Sequence, residues 1–196
     1  EKFNFNIILC AMIYKNFGQL KFVTSNADKV REAIDILGFS LDQISSLNID
    51  EVQSDDINEI VIHKAKKSYD IIKLPVLVED SGLIFTAWNG LPGPFIKWFE
   101  TSVGCQGLLK MLEGFENRKA LAVCFVAIFD GKELLIGKGE VRGKIASSIR
   151  GENGFGWDVI FIPEGHKKTY AEMVSSEKNL ISHRRLAFED LKNKII

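Results

Sequence analysis

Residues 20 to 38, LKFVTSNADKVREAIDILG, decide the fold class because their apolar pattern changes within a few positions. Leu20 to Thr24 is a short apolar run typical of a buried strand. Ser25 and Asn26 can cap a following helix, whose apolar side chains share one face until Gly38 ends it. This stretch therefore predicts a strand, a loop and a helix in succession.

The same order of elements recurs in the next forty or so residues. Ser46 to Ile49 is predicted as a second strand, Ile57 to Lys73 as a helix, and Pro75 to Val78 as a third strand. Strands that alternate with helices favour an α/β sheet whose ligands lie beyond the carboxyl ends of the strands.

The second half of the chain changes to a hairpin pattern. Asp130-Gly131 is a strong hairpin signal between two apolar runs. The predicted elements are a rigid turn at Gly90 to Pro94, a helix at Gly107 to Gly114, and strands at Leu121 to Phe129, Glu133 to Ile136 and Gly139 to Ile145. We infer an α/β fold with an elongated mixed sheet, flanking helices and two lobes around a central cleft. Residues 20–196 form the predicted domain, and residues 1–19 are interpreted as an N-terminal extension.

Composition and charge limit the possible ligands. The chain has 196 residues, of which 46% are hydrophobic, so it can bury a substantial core. Its net charge of -1 provides no general attraction to a nucleic-acid polymer or an anionic membrane. Its three cysteines form no C-x-x-C pair, and the apolar run Ile7 to Tyr14 is too short to span a bilayer. We expect a cytoplasmic protein whose ligand is a small molecule.

The loop between the first strand and helix is a candidate phosphate site. Thr24, Ser25, Asn26 and Lys29 surround a helix N-terminus, where backbone N–H groups and the helix dipole attract anions. The alternative is that Ser25 or Asn26 only caps the helix and Lys29 is solvated. The Gly-rich pattern of a P-loop is absent from the sequence, so a phosphate site here would have another geometry.

Acidic residues follow two of the predicted strands. Glu79, Asp80, Ser81 and Gly82 come directly after Pro75 to Val78, where carboxylate oxygens could hold Mg²⁺. A polar turn is the alternative interpretation. A second acidic group, made of Asp50, Glu51, Asp55 and Asp56, follows the preceding predicted strand and could complete a metal site. The sequence does not distinguish which of these four carboxylates would bind the metal.

The last quarter of the chain combines aromatic residues, glycines and cations. Gly154 to Asp158 is followed by Thr169 to Met173, Glu177 to Asn179, and Ser182 to Arg184. Aromatic rings beside glycines can hold a flat base, and later Lys, His and Arg side chains can meet oxygen acceptors and phosphate. Core aromatics and an exposed helix face are the alternatives. The combination favours a nucleotide pocket.

Together these blocks resemble the inosine triphosphate pyrophosphatase family. The resemblance also rests on Val78 to Leu83 and on Gly90 to Pro94 with Lys97-Trp98-Phe99, and it covers roughly residues 20 to 192. It implies a two-lobed mixed α/β fold, Mg²⁺ dependence and a homodimer. It also implies hydrolysis of aberrant purine nucleoside triphosphates (ITP, dITP and XTP) to a monophosphate and pyrophosphate, which cleanses the nucleotide pool.

The resemblance also implies roles for individual residues. The catalytic residues would be Asp80, Glu79 and Lys29, and the metal ligands would be Glu51 and Asp80. The substrate-binding residues would be Thr24, Ser25, Asn26, Lys29, Lys64, Ser81, Lys97, Phe155, Gly156, Trp157, Asp158, Lys178, His183 and Arg184. Two departures stand out: the segment from Glu51 to Lys64 is one residue longer than in some relatives, and Val159 replaces a common proline.

Two other functions fit parts of the pattern. A nucleotide sensor could keep the pocket without hydrolysis, although Lys29, Glu79 and Asp80 argue for chemistry. A related α/β pyrophosphatase could act on modified pyrimidine nucleotides. The block Ser182 to Arg184 favours purines that carry a ketone.

Overall fold

The computed structural model describes residues 19–50 and 52–195. The predicted N-terminal extension lies outside these ranges except for Gln19, and the predicted metal ligand Glu51 also lies outside them. None of the helices within the described ranges is long and apolar enough to cross a membrane.

The described residues form strands and α-helices in alternation and then a run of antiparallel strands. The strands are β1 (Lys21–Val23), β2 (Asp42–Ile44), β3 (Val76–Phe85), β4 (Pro92–Gly93), β5 (Lys119–Phe129), β6 (Leu134–Ile145) and β7 (Phe161–Pro163). The α-helices are α1 (Ala27–Leu37), α2 (Ile57–Ile72), α3 (Ile96–Met111), α4 (Ser175–Ile181) and α5 (His183–Ile195). Short 3₁₀ helices cover Thr86–Trp88, Gly156–Val159 and Tyr170–Glu172.

These strands form one mixed sheet in the order β2-β1-β3-β5-β6-β7, and β4 pairs with β3. β1 is parallel to both β2 and β3, with Phe22 opposite Gln43 and Leu77. The β3–β4 and β6–β7 pairs are antiparallel. The predicted mixed α/β class is therefore confirmed.

The chain divides into two compact units. Among described residues, unit 1 comprises 19–50, 52–80, 124–139 and 184–195, and unit 2 comprises 81–123 and 140–183. The chain crosses from one unit to the other within β3, β5 and β6.

Unit 1 is built in three layers. Alternate strand residues point to opposite faces, so Phe22 and Leu77 pack with α1 and α5, whereas Val23 and Val78 pack with α2. Both faces of these strands are buried, which explains their continuous apolar runs. Unit 2 has its own core, in which α3 packs with strand residues and with the aromatic side chains of Trp157, Phe161 and Tyr170.

Several predicted elements are confirmed. α1 and α2 match their predicted ranges within one or two residues, with Asn26 and Asp56 as their N-caps. In the predicted hairpin, the Asp130 side chain accepts hydrogen bonds from the backbone N–H groups of Lys132 and Glu133, both at 2.8 Å.

Two predictions about the parallel strands were wrong. The second strand is Asp42–Ile44 rather than Ser46 to Ile49, because the end of β1 at Val23 leaves later residues no strand to pair with. β3 also continues beyond Val78 to Phe85, so Glu79 to Gly82 lie inside a strand and not in a turn. β3 continues there because it also pairs with β5, and with β4 at Leu83 and Ile84.

Other predictions were wrong later in the chain. The predicted Gly107 to Gly114 helix is only the end of the longer helix α3. Gly104, which adopts φ 66° and kinks α3, interrupts the helical pattern in the sequence. The strands predicted at Glu133 to Ile136 and Gly139 to Ile145 are one continuous β6. β7 is too short to give a sequence pattern and depends on pairing with β6.

Candidate active site

The loop before α1 is organised by its own polar side chains. The Asn26 side-chain oxygen accepts hydrogen bonds from the N–H groups of Asp28, at 2.9 Å, and Lys29, at 3.2 Å. The buried Thr24 hydroxyl accepts a hydrogen bond from the Asn26 N–H at 3.2 Å. Asn26, and not the exposed Ser25, is therefore the helix cap.

Lys29 extends from the first turn of α1 to the two predicted catalytic carboxylates. Its Nζ lies 3.4 Å from Glu79 Oε1 and 3.7 Å from Asp80 Oδ1. Burial acts to lower the pKa of Lys29, but Glu79 and Asp80 outweigh it and raise the pKa, so the amine is charged. The Glu79 side chain is fully buried, whereas that of Asp80 is 26% exposed. Asp80 is thus the one of these two carboxylates that can meet water.

Arg184, at the start of α5, neutralises the buried Glu79. Its Nε donates to Glu79 Oε2 at 2.7 Å and one Nη donates to Glu79 Oε1 at 2.8 Å. The other Nη donates to Glu32, on α1. Burial alone would lower the pKa of Arg184, but Glu79 and Glu32 hold it well above its usual value. This bidentate pair therefore joins β3, α1 and α5 inside unit 1.

Lys64 also lies beside Glu79. Its Nζ donates to the Glu79 backbone oxygen at 3.4 Å. The structure thus brings together seven predicted site residues of unit 1: Thr24, Asn26, Lys29, Lys64, Glu79, Asp80 and Arg184. The buried Cys124 thiol is close enough to this group that burial first, and Glu79 second, hold its pKa well above the usual range. It remains a neutral thiol.

The donor set of this cluster is compatible with magnesium. No group of three or more His, Cys, Asp or Glu side chains within residues 19–50 and 52–195 is arranged to hold a metal ion. Mg²⁺ is commonly bound through only one or two carboxylates, with waters and substrate phosphates filling its other positions. The partly exposed Asp80 provides one such carboxylate, and Glu51 stays a predicted second ligand.

In unit 2, Trp157 and His183 of the predicted base pocket form a connected group with Tyr170. The Trp157 ring lies 5.1 Å from the His183 ring and 6.4 Å from the Tyr170 ring, measured between centroids. His183 and Tyr170 are stacked with an interplanar angle of 20°. Trp157 is buried, so the alternative of a core aromatic describes part of its role. His183 is also buried, so the alternative of an exposed helix face at Ser182 to Arg184 is wrong.

A buried ion pair fixes the segment that contains Trp157. The Asp158 carboxylate accepts hydrogen bonds from Lys178 Nζ, at 2.5 Å, and from the Phe155 backbone N–H, at 2.9 Å. Lys178 Nζ also lies 5.1 Å from the centre of the Phe155 ring and 5.4 Å from that of Tyr170. The structure therefore brings Phe155, Trp157, Asp158, Lys178 and His183 together.

The remaining predicted residues are placed differently. Lys97 is exposed on α3, with its backbone oxygen accepting a hydrogen bond from Thr101, and Ser81 is half-buried in β3. Arg184, predicted to share the base pocket with Phe155 and Trp157, belongs to unit 1 and bonds to carboxylates there. Its contact with a base stays a prediction.

Sequence reasoning missed three residues of these clusters. Glu32 carried a usable signal, because it is a charged residue on the apolar face of α1 beside the buried Ala33. Tyr170 lay within a quoted block but received no role. Glu100 gave no signal, since its proximity to Gly156 arises only from packing.

Comparison with known proteins identifies the family of this chain. The model of the Ham1 family matches residues 20–194. This chain belongs to the Ham1 family. Inosine triphosphate pyrophosphatase from Scheffersomyces stipitis is 45% identical, over 89% of this chain and 96% of that protein. Inosine triphosphate pyrophosphatase 2 from Trypanosoma cruzi is 46% identical, over 89% of this chain and 90% of that protein.

Several solved structures share the fold. A HAM1 protein from Coxiella burnetii is 32% identical with a TM-score of 0.78, over 90% of this chain and 97% of that chain. A nucleoside-triphosphatase, described as a dITP/XTP pyrophosphatase, from Mycobacterium abscessus is 28% identical with a TM-score of 0.69. That similarity covers 88% of this chain and 98% of the other.

The buried ion pair of Arg184 makes a prediction about stability. Arg184→Ala should lower the free energy of unfolding by about 3 to 5 kcal/mol, because Glu79 and Glu32 lose their buried counter-charge. Arg31→Ala is the control on α1, since its exposed i,i+3 pair with Asp28 should contribute at most about 1 kcal/mol. Urea unfolding of both variants measures the difference, and equal losses would contradict the prediction.

Proposed function

We propose that this protein is a nucleoside triphosphate pyrophosphatase that hydrolyses ITP, dITP and XTP to the monophosphate and pyrophosphate. The observation that supports this most strongly is the similarity, over nearly their whole length, to proteins named inosine triphosphate pyrophosphatase. The cluster of Lys29, Glu79 and Asp80 supplies groups suited to such a reaction. Removal of these triphosphates would keep deaminated purines out of nucleic acids.

Asp80 is the proposed residue that activates water. In the reaction, a water oxygen forms a bond to the α-phosphorus while the bond from that phosphorus to the bridging oxygen of the leaving pyrophosphate breaks. Asp80 orients the water and accepts its proton. Glu79 is less suited to this step because Arg184 engages both of its oxygens. We propose that Glu79 instead holds Lys29 in place.

Positive charge near the phosphates would come from lysines. Lys29 is charged and sits beside Asp80, and Lys64 and Lys97 are the other proposed phosphate ligands together with Thr24, Ser25 and Asn26. Their charge would offset that of the departing pyrophosphate. Asp80 and Glu51 would hold Mg²⁺, which when bound supplies Lewis-acid stabilisation of the phosphate oxygens.

The base would be selected at its six-position. Hypoxanthine and xanthine present an oxygen there, whereas adenine presents an amine, so a donor-rich pocket rejects ATP by leaving donors unpaired. Phe155 and Trp157 would contact the base. The proposed donors are nearby main-chain N–H groups, because Arg184 is buried and already donates to Glu79 and Glu32. Gly156, Asp158, Lys178 and His183 complete the proposed pocket. GTP shares the six-position oxygen, so its exclusion requires a separate contact at its two-position amine.

Other properties of the family complete the proposal. We propose a homodimer that acts in the cytoplasm on free nucleotides and binds neither a nucleic-acid polymer nor a membrane. A sensor that binds nucleotide without hydrolysis is the main alternative, and it would not convert ITP to inosine monophosphate. An enzyme specific for modified pyrimidines would fail on ITP.

Product analysis should distinguish pyrophosphate release from phosphate release. With ITP and Mg²⁺ in ¹⁸O-water, we expect inosine monophosphate and pyrophosphate in equal amounts, with the label in the monophosphate, because attack occurs at the α-phosphorus. Mass spectrometry measures both products. Formation of inosine diphosphate and orthophosphate would be incompatible with the proposed reaction.

Asp80→Asn should nearly abolish turnover without unfolding the protein. The substitution removes the charge needed to accept a proton but preserves the shape of a partly exposed side chain. We expect a fall of about 100-fold or more in kcat, in line with the usual contribution of general base catalysis, at an unchanged Tm. Asp42→Asn, which alters an exposed carboxylate paired with Lys21, is the control and should keep full activity. Parental turnover in Asp80→Asn would remove Asp80 from the mechanism.

A further inference from the structure

Glu100 places a carboxyl group against the segment that the proposed function assigns to the base. It lies in the second turn of α3, within unit 2. A Cβ atom added to Gly156 would lie only 2.9 Å from Glu100 Oε1, so the carboxyl group packs directly on this glycine. Gly156 belongs to Phe155–Asp158, which we name the base-holding segment.

One oxygen of the Glu100 carboxyl group lacks a hydrogen-bond donor among the described residues. This oxygen, Oε1, is buried. A buried carboxylate oxygen without a donor is costly, whereas a neutral carboxylic acid is tolerated more easily. The packing therefore favours the protonated form.

Neighbouring groups increase this preference. On the base-holding segment, the Asp158 carboxylate faces Glu100, and its own charge is balanced by Lys178. On α3, the Cys105 thiol donates to the Gly156 backbone oxygen at 3.7 Å. Burial first, and Glu100 second, raise the pKa of Cys105 to about 11, so this thiol stays neutral. Burial, then Asp158, raises the pKa of Glu100 to about 7.

We propose that Glu100 is a positioning residue for the base-holding segment, and that its carboxyl group must be neutral for the segment to bind a purine base. In the neutral form, the carboxyl group packs against Gly156 and leaves the Asp158–Lys178 pair undisturbed. When ionised, it repels Asp158, competes for Lys178 and is drawn toward water. Each of these effects displaces the segment that holds the base.

This inference rests on the proposed function, because that function assigns the base to Phe155–Asp158. Glu100 is not among the site residues predicted from the sequence. Because the Glu100 carboxyl group must be neutral, base affinity falls as the pH rises through neutrality. A role for Glu100 in folding alone would not change base affinity in this way.

The test measures binding of inosine monophosphate, which carries the base and needs no turnover. Calorimetric titration at pH 6 and pH 8 should show Kd rising by up to about tenfold in the parent protein, as the neutral fraction falls from roughly nine-tenths to one-tenth. In Glu100→Gln, which remains neutral, Kd should change much less. Titration of the ligand phosphate occurs in both proteins, so the difference between the profiles isolates Glu100.

Two further variants make the result decisive. Glu100→Leu also lacks the charge and should show the same weak pH dependence, while Glu113→Gln removes an exposed carboxylate near the end of α3 and should behave like the parent. Parallel pH profiles in the parent and both Glu100 variants would overturn the inference. Failure of ITP hydrolysis would contradict the proposed function and leave this binding test intact, so the two failures are distinguishable.

A stability measurement provides an independent check. Because the folded-state pKa of Glu100 is raised, the parent should lose stability relative to Glu100→Gln as the pH rises from about 4.5 to about 7, and the difference should level off above that. Thermal melting at pH 5 and pH 8 measures this change. An equal Tm difference at both values would show that Glu100 is not held neutral and would overturn the inference.

Discussion

The buried contact between Arg184 and Glu79 is the interaction on which unit 1 depends. Glu79 is fully buried and follows the buried apolar residues Val76 to Val78 in β3. An unpaired carboxylate there would be costly. The guanidinium engages both Glu79 oxygens and also reaches Glu32, so α5, β3 and α1 share one buried network. The network explains how charged residues occupy positions that the hydrophobic pattern would reserve for apolar ones. The network also gives two adjacent residues different tasks. Arg184 holds Glu79, whereas Asp80 stays accessible to water, and Lys29 lies beside both carboxylates.

A second buried pair plays the same part in unit 2. Lys178 neutralises Asp158, whose carboxylate also holds the Phe155 backbone N–H, and thereby fixes the turn that carries Trp157. Breaking either pair leaves a buried charge behind, which usually costs more than the pair contributes when intact. Glu100 differs from both because its buried oxygen has no donor among the described residues, and that contrast is why its protonation carries consequences.

Local patterns predicted much of this structure, and long-range packing accounts for the rest. Asn26 and Gly38 mark the ends of α1, and Asp130-Gly131 marks the hairpin, because caps and turns depend on adjacent residues. The continuation of β3 through Glu79 and Asp80 could not be predicted, since it depends on strands distant in sequence. The same reason hid the Arg184–Glu79 contact, which joins residues 105 positions apart. A sequence motif therefore identified the residues but not their partners.

We propose that this Ham1 family member hydrolyses ITP and XTP in preference to GTP and ATP. The most direct measurement is a competition in which equal concentrations of ITP, XTP, GTP and ATP are mixed with the enzyme and Mg²⁺, and each monophosphate is followed by chromatography. We expect inosine and xanthosine monophosphates to form first, while ATP and GTP remain largely intact. Consumption of all four at similar rates, or of ATP first, would contradict it.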